Sequence, residues 1–415
     1  MAQKFIESKY DIVEPNEKAD IYVINTCTVT NMSDRKSRQM LRRVRENNKE
    51  AIVIACGCYA QVSKEELEKI EGIDLILGNN EKKEIVEHVE KFIEKKEEPL
   101  TQIDDVMYQK EFIDFGNITY TEKTRAVIKV QDGCDRFCSY CIIPYARGRV
   151  RSRKPESIVK EIENIAKKGI KEVVITGIHV ASYGKDLKEG YGLIDLLEAI
   201  NQIDGIERIR LGSIEPLLIT EEFIERLINL EKICPHFHLS LQSGCDETLK
   251  RMNRRYTTVE FRQIVNRIRR YYDNVALTTD IIVGFPQESD EEFEVTYKFL
   301  EEIKFYKIHV VKYSPRKGTK AAIMEGQIDG NKKEQRSQNL IELSNKNEKI
   351  YNKNYIGKEV EILIEEEKDG SYRGHTKNYI LAYLPVEQTN RVIKENEILK
   401  LKCYNAINDH IMVKM

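Results

Sequence analysis

The sequence predicts an α/β protein in three parts: an N-terminal parallel α/β domain, a central open (β/α)6 barrel and a small C-terminal all-β barrel. Three observations predict it. Short apolar strands alternate with helical patterns over residues 20–96, and again over 125–312; such alternation implies βαβ units on parallel sheets. Beyond a polar helix at 330–353, only short alternating strands follow. Hydrophobic residues make up 41% and charged residues 33%, a core-forming composition that excludes global disorder. The expected division is 1–96, a linker at 97–119, a core at 120–350 and a terminal module at 354–415.

In the first part, 20–26 (DIYVINT), 51–56 (AIVIAC) and 73–78 (IDLILG) read as strands, the second a continuous apolar run of the kind buried on both faces. Between them lies a helix at 33–47 with Ser33 or Asp34 as cap, bearing Arg35, Lys36, Arg38, Arg42, Arg43 and Arg45. A second helix at 64–71 follows, with Ser63 and Glu66 as a capping box. A charged helix covers 81–96. The chain opens on a helix near 2–9, although a sheet of this type usually begins with a strand.

In the second part the strands are 125–130, 171–176, 207–211, 236–241, 275–283 and 306–312, with helices at 155–168, 192–203, 220–231, 258–271 and 289–303. Six β/α units in succession fit an open parallel barrel. Terminal strands are expected at 358–365, 371–376, 379–384, 397–405 and 411–414, with Asp369–Gly370 as a hairpin turn.

The formal net charge is −2, so any nucleic-acid site must be a local patch rather than bulk basicity. No apolar run approaches the roughly 18 residues of a membrane span, and no leader opens the chain. The expectation is a cytoplasmic protein, a monomer with no membrane partner.

Nine cysteines, an odd number in a long chain, argue against a disulfide framework. Cys134, Cys138 and Cys141 follow the first barrel strand in GCDRFCSYCIIP, on a loop of the kind that builds barrel active sites. Three thiolates on a short loop can hold three irons of a 4Fe-4S cluster and leave the fourth open. A zinc knuckle or redox pair is the competing reading, but zinc usually brings a fourth ligand nearby, and the next histidine is His179. Cys56, Cys234, Cys245 and Cys403 read as buried structural cysteines.

The triplet, with Tyr140 before its last cysteine, resembles that of the radical S-adenosylmethionine superfamily. More closely, VINTCTVTNMSDRKSRQ, GCYAQ, GCDRFCSYCIIPYARGRVRSR, SLQSGCDETLKRMNRRYT, TTDIIVGFP and YSPRKGT resemble the methylthiotransferase family over nearly the whole chain. The resemblance implies an N-terminal cluster domain, a radical barrel and a C-terminal TRAM domain that binds RNA. It also implies S-adenosylmethionine held by the cluster on Cys134, Cys138 and Cys141, and its reductive cleavage to a 5′-deoxyadenosyl radical. A second 4Fe-4S cluster is implied on three cysteines, two of which match Cys27 and Cys58. The first lies in an earlier strand and loop that this sequence does not contain, so the second cluster is expected to lack a ligand. Cys56 is the less favoured substitute.

GSIEP, GIHVASYGKD and SLQSGC resemble the branch acting on tRNA with N6-threonylcarbamoyladenosine at position 37, where C2 is methylthiolated. The alternatives are isopentenyladenosine tRNA, a ribosomal-protein side chain, or a non-catalytic metal-containing RNA-binding protein. Cofactor contacts are expected from Tyr140, Thr176, Gly177, Ser213, Glu215 and Gln242 at strand ends, although Glu215 reads equally as a structural carboxylate. Asp280, inside an apolar strand, needs a partner. Arg147, Arg149 and Arg151 beside the cysteine loop are expected on phosphates of the tRNA anticodon arm; two further basic patches are the helix at 35–45 and Lys250, Arg251, Arg254 and Arg255. Flavodoxin or ferredoxin is the expected electron donor.

Overall fold

The computed structural model describes residues 1–95, 99–114, 116, 124–187 and 190–415. They fall into two compact units, each assembled from separated stretches. Unit 1 comprises Met1–Tyr120, Asp132–Arg153 and Ser314–Ile323; unit 2 comprises Thr121–Gln131, Lys154–Tyr313 and Met324–Met415. Among the described residues no helix is long and apolar enough to cross a membrane.

Unit 1 is built on a parallel sheet of β1 (Ile21–Thr26), β2 (Ile52–Gly57), β3 (Leu75–Leu77) and β4 (Leu100–Gln102), in that order. Register runs Val23↔Ile54, Ile54↔Leu75 and Leu75↔Leu100. Successive β2 side chains point to opposite faces. Val53 and Ala55 pack with Leu41, Val44, Tyr59 and Leu67. Ile54 and Cys56 pack with Phe5, Leu75, Leu77 and Ile85. Burial on both faces is why β2 reads as an unbroken apolar run.

Three local expectations change. The stretch expected as a linker supplies β4, an edge strand whose Leu100 and Gln102 are exposed, so no alternation marks it. The first long helix, Asn31–Asn47, is capped by Thr30, whose Oγ1 accepts from the Ser33 amide at 3.1 Å. Asp34 is instead buried beneath the helix, where Arg316 of the returning Ser314–Ile323 segment reaches it together with Thr28 and Asn31. Ser63 makes no side-chain cap bond, and the helix it starts is only Lys64–Leu67; Glu66 accepts from the Tyr59 hydroxyl at 2.6 Å instead.

In unit 2, β5 (Arg125–Asp132) contributes all but its last residue; a two-residue strand β6 (Arg151–Ser152) lies in unit 1. Then follow β7 (Glu172–Gly177), β8 (Arg208–Leu211), β9 (His236–His238), β10 (Ala276–Val283) and β11 (Lys307–Lys312). β5, β7 and β8 pair in parallel, as do β9, β10 and β11, and parallel bridges Ile209↔Ile233 and Ile214↔Leu239 join the two sets. Six parallel strands in chain order, with helices between, form the expected open (β/α)6 barrel. Val173, Ile175, Ile209, Phe237, Leu277 and Ile308 pack against helix residues such as Ile162, Leu196, Phe261 and Leu300. Each such side chain stabilises the fold by about 1.5–3 kcal/mol.

Gly330–Lys353 is one helix, as expected, and leads into a closed barrel of β12 (Glu359–Lys368), β13 (Ser371–Thr376), β14 (Leu381–Pro385), β15 (Ile398–Ile407) and β16 (His410–Lys414). Asp369 and Gly370 turn between β12 and β13 with φ of 50° and 72°. This small barrel is fixed to β5, β7 and β8 by buried charge. Glu172 receives Arg210 at 3.1 Å and lies 3.6–3.7 Å from Arg125 and Arg208. Arg208 also donates to the His375 carbonyl and the Glu361 carboxylate, and Arg210 to the Lys377 carbonyl. Tyr379 lies beneath the Arg210 and Arg125 guanidinium groups, so its ring belongs to this joint.

Burial alone would raise the Glu172 carboxyl, but Arg210, then Arg125 and Arg208, overcome it and hold it below its ordinary value. A depressed carboxyl contributes stability that is present above its unfolded value and lost as pH falls through the folded one. Glu172→Gln should therefore cost about 3–5 kcal/mol at neutral pH, because three arginines lose their counter-charge. The penalty should shrink as pH drops below the ordinary carboxylate range. Urea unfolding of both proteins from pH 7 to pH 3 measures this; a pH-independent difference would contradict it.

Candidate active site

The cysteine loop lies in unit 1 and is pinned at both ends by backbone. Gly133 has φ +73°, and a Cβ there would meet the Arg149 carbonyl oxygen at 1.8 Å; at Gly148, φ +74°, it would meet the Val106 carbonyl oxygen at 2.1 Å. Only glycine fits either position. Between them the Cys134 amide donates to the Gly148 carbonyl at 3.0 Å, and the Cys141 amide to the Cys138 carbonyl at 2.9 Å. The Ala321 amide donates to the Ser139 carbonyl at 2.8 Å, so the Ser314–Ile323 segment closes the loop from the far end of the chain. Cys134 is buried, while Cys138, Cys141 and Tyr140 are half-buried. Burial pushes the Cys134 thiol up to about 11. Among the described residues, no three Cys, His, Asp or Glu side chains converge at metal-binding distance. The donor chemistry nevertheless fits an iron–sulfur cluster: three soft thiols within eight residues, on a backbone that both glycines fix.

The same unit places a further cysteine against a cation. The Arg147 Nε donates to Cys58 Sγ at 3.1 Å, and Arg147 lies 3.6 Å from the Asp132 carboxylate that ends β5. Burial would lower the Arg147 guanidinium, but Cys58, Asp132 and Cys27 raise it, which puts both family-matched cysteines within its field. Arg151 donates to the Arg147 carbonyl at 2.7 Å and lies 3.7 Å from Asp132. Asn79 Nδ2 donates to the Ala146 carbonyl at 2.7 Å and stands 3.9 Å from Cys58 Sγ. Cys27 is exposed and Cys58 is buried. Cys56 is fully buried in the sheet, 4.0 Å from the Met1 sulfur, on the face with Phe5 and Leu77.

Unit 2 holds the other residues singled out from sequence. Thr176 and Gly177 end β7, and a Cβ on Gly177 would meet the Gln131 side-chain oxygen at 2.9 Å. That oxygen accepts from the His179 amide at 2.7 Å. Ser213 is exposed and its hydroxyl is 2.6 Å from that of Ser240. Gln242 sits at φ +72°, its amide bonded to the Asp280 carbonyl and its own carbonyl to the Ile282 amide. Glu215 is buried, with Arg254 at 2.9 Å and His179 at 3.5 Å, the arrangement of a structural carboxylate. Asp280 finds its partner in His238 at 3.0 Å.

The three arginines expected on phosphate do not share a surface. Arg151 is 2% exposed and turned to Asp132; Arg147 is held by Cys58 and Asp132. Arg149 alone is exposed, 5.0 Å over the Phe137 ring and 3.3 Å from Asp135. A buried guanidinium cannot reach a phosphate, so the expectation is corrected for Arg151, while Arg147 is half-buried. In the third basic patch Arg251 is bonded to Glu292 and Arg254 to Glu215. Sequence reading missed Asp132, Asn79 and Arg316. A polar Gln131–Asp132 pair ending an apolar strand was the available signal for the first; nothing local marked the others.

A six-unit parallel barrel with a C-x3-C-x2-C loop after its first strand defines a radical S-adenosylmethionine enzyme. Residues 128–300 match the model of the Radical SAM superfamily, and residues 1–78 that of the Uncharacterized protein family UPF0004. A Bacillus subtilis (strain 168) protein, threonylcarbamoyladenosine tRNA methylthiotransferase MtaB, is 40% identical over 91% of this chain and 85% of its own. The Aquifex aeolicus (strain VF5) protein of the same name is 42% identical over 92% and 91%. The chain belongs to this methylthiotransferase family, whose radical chemistry uses a 4Fe-4S cluster and S-adenosylmethionine. A fold likeness extends to the radical S-adenosylmethionine methyltransferase TsrM from Kitasatospora setae, solved with cobalamin and a [4Fe-4S] cluster bound. Its TM-score is 0.53 at 16% identity, over 74% of this chain and 67% of that one.

Gly133→Ala should displace the loop and prevent stable iron uptake, at a cost of roughly 3 kcal/mol or more for a carbonyl overlap that backbone must absorb. Iron analysis after anaerobic reconstitution reads it out, and wild-type iron content in the variant would refute it. Arg147→Met should leave Asp132 with Arg151 as its remaining cation and cost about 1–3 kcal/mol in denaturant unfolding.

Proposed function

We propose that this chain methylthiolates the C2 carbon of N6-threonylcarbamoyladenosine at position 37 of tRNA, with S-adenosylmethionine as cosubstrate. The observation that carries the reading is the 40% identity, over 91% of the chain, to a protein with that nucleoside in its name. The cysteine loop pinned by Gly133 and Gly148 supports it.

The C2 carbon of adenine bears an unactivated C–H bond, and no side chain deprotonates it at neutral pH. A 4Fe-4S cluster with S-adenosylmethionine supplies, when bound, a carbon radical able to take such a hydrogen. In this reading Cys134, Cys138 and Cys141 hold that cluster. The half-buried Tyr140 screens it, and Thr176, Gly177, Ser213 and Gln242 contact S-adenosylmethionine. Cys27 and Cys58 serve a second cluster, with Arg147 donating to the Cys58 sulfur. Asp132 anchors Arg147, and Arg151 holds its carbonyl. Glu215 acts by fixing Arg254 rather than as a cofactor contact. The reductant is a low-potential carrier such as flavodoxin or ferredoxin.

Cys138→Ala should lose the iron of this site and abolish reductive cleavage of S-adenosylmethionine. In cells lacking the gene, 2-methylthio-N6-threonylcarbamoyladenosine should be absent from digested tRNA and return with the wild-type chain but not with this variant. Mass spectrometry of the nucleosides decides; restoration by Cys138→Ala, or accumulation of unmodified isopentenyladenosine instead, would overturn the reading.

A further inference from the structure

The helix Asn31–Asn47 has a division of charge that the site does not use. Its inward face is Asp34, Ser37, Leu41 and Val44, all buried. Two of its six basic residues are spent inside unit 1: Arg38 on the Tyr59 hydroxyl at 2.6 Å, and Arg45 on the Gly72 and Ala51 carbonyls, each at 2.8 Å, and on Asp74. The other four, Arg35, Lys36, Arg42 and Arg43, are exposed, and none has an ion-pair partner among the described residues. Their spacing puts them in one strip. Positions seven apart fall within about 20° of each other around a helix, so Arg35 sits almost over Arg42 and Lys36 over Arg43. The exposed Gln39 lies between the two pairs. With a rise of 1.5 Å per residue, the pairs stand about 10 Å apart along the axis. One of the helix's two acids, Asp34, is neutralised beneath it by Arg316, which leaves Glu46 as the only exposed acid on the helix. In a chain with formal net charge −2, this is a local positive stripe on a rigid support.

We propose that this strip docks successive phosphates of the tRNA substrate, an inference that rests on the tRNA reading above and adds the surface to it. Three of the four cations are arginine, whose planar fork suits phosphate oxygens. Two pairs separated along an axis fit a backbone of repeating charge better than a single anionic ligand. The capping Thr30 lies three residues after the exposed Cys27, so the strip begins one turn of chain from a proposed cluster ligand. It also takes over the task that burial denies to Arg151.

The test is equilibrium binding of the full chain to tRNA by fluorescence anisotropy across a salt series. The comparison is wild type against the variant Arg35→Gln, Lys36→Gln, Arg42→Gln, Arg43→Gln, with folding of both checked by thermal melting. Each lost phosphate contact removes roughly 0.7–0.9 from the slope of log K against log salt. The slope should therefore flatten by about three to four, with affinity at low salt falling at least about tenfold. Arginine-to-lysine changes at 35, 42 and 43 should keep most of the slope. If the quadruple variant is unstable, the pairs 35/36 and 42/43 are changed separately, and each should remove about half the effect. Wild-type tRNA binding with an unchanged slope in the variants would overturn this inference and leave the tRNA reading standing. Failure of the wild-type chain to bind tRNA would overturn both.

Discussion

The Asp132 carboxylate is the constraint on which the site of unit 1 depends. It is the last residue of β5. It lies within 3.6–3.7 Å of two guanidinium groups, Arg147 and Arg151. Arg147 then reaches Cys58, and Arg151 ties down the carbonyl of Arg147. One carboxylate thus links the segment after the cysteine loop to a sheet-rim cysteine. The two arginines could not stand so close, both largely out of water, without that shared anion. This is why a run of basic residues beside the loop is structural at two of its three positions.

Unit 2 uses the same device, with one more cation around the carboxylate. There one buried carboxylate, Glu172, serves Arg125, Arg208 and Arg210, and through them the five-stranded barrel. In both units, charge that sequence composition presents as surface is drawn inward and balanced within a few ångströms. What stays outside, on the helix Asn31–Asn47, is then more informative than the overall balance of 67 basic and 69 acidic residues.

Much of this was legible in the sequence, because strands buried on both faces declare themselves. β2 is an apolar run without interruption, β7 and β10 are mostly apolar around Glu172 and Asp280, and the six β/α units follow from counting such strands. The cysteine loop was legible through its spacing. Other features had no local mark. β4 is a three-residue edge strand with exposed ends, and its pairing comes from β3 rather than from its own pattern. Asp34 looked like a helix cap until its partner, 282 residues away, occupied it. Arg147, Arg149 and Arg151 alternate in sequence, yet whether each meets water depends on Asp132, Cys58 and Phe137. Contacts of that range are decided by topology, and a one-dimensional pattern does not carry them.

The return of Ser314–Ile323 to unit 1 has a consequence for how the chain is made. Asp34 emerges early in synthesis, but Arg316 emerges 282 residues later. At about 5–20 residues per second, that is a wait on the order of 15–60 s. Through that interval the nascent N-terminal sheet holds a carboxylate without its counter-ion, and the Ser139 carbonyl lacks the Ala321 amide. The cysteine loop therefore takes its final form only after the whole barrel has left the ribosome.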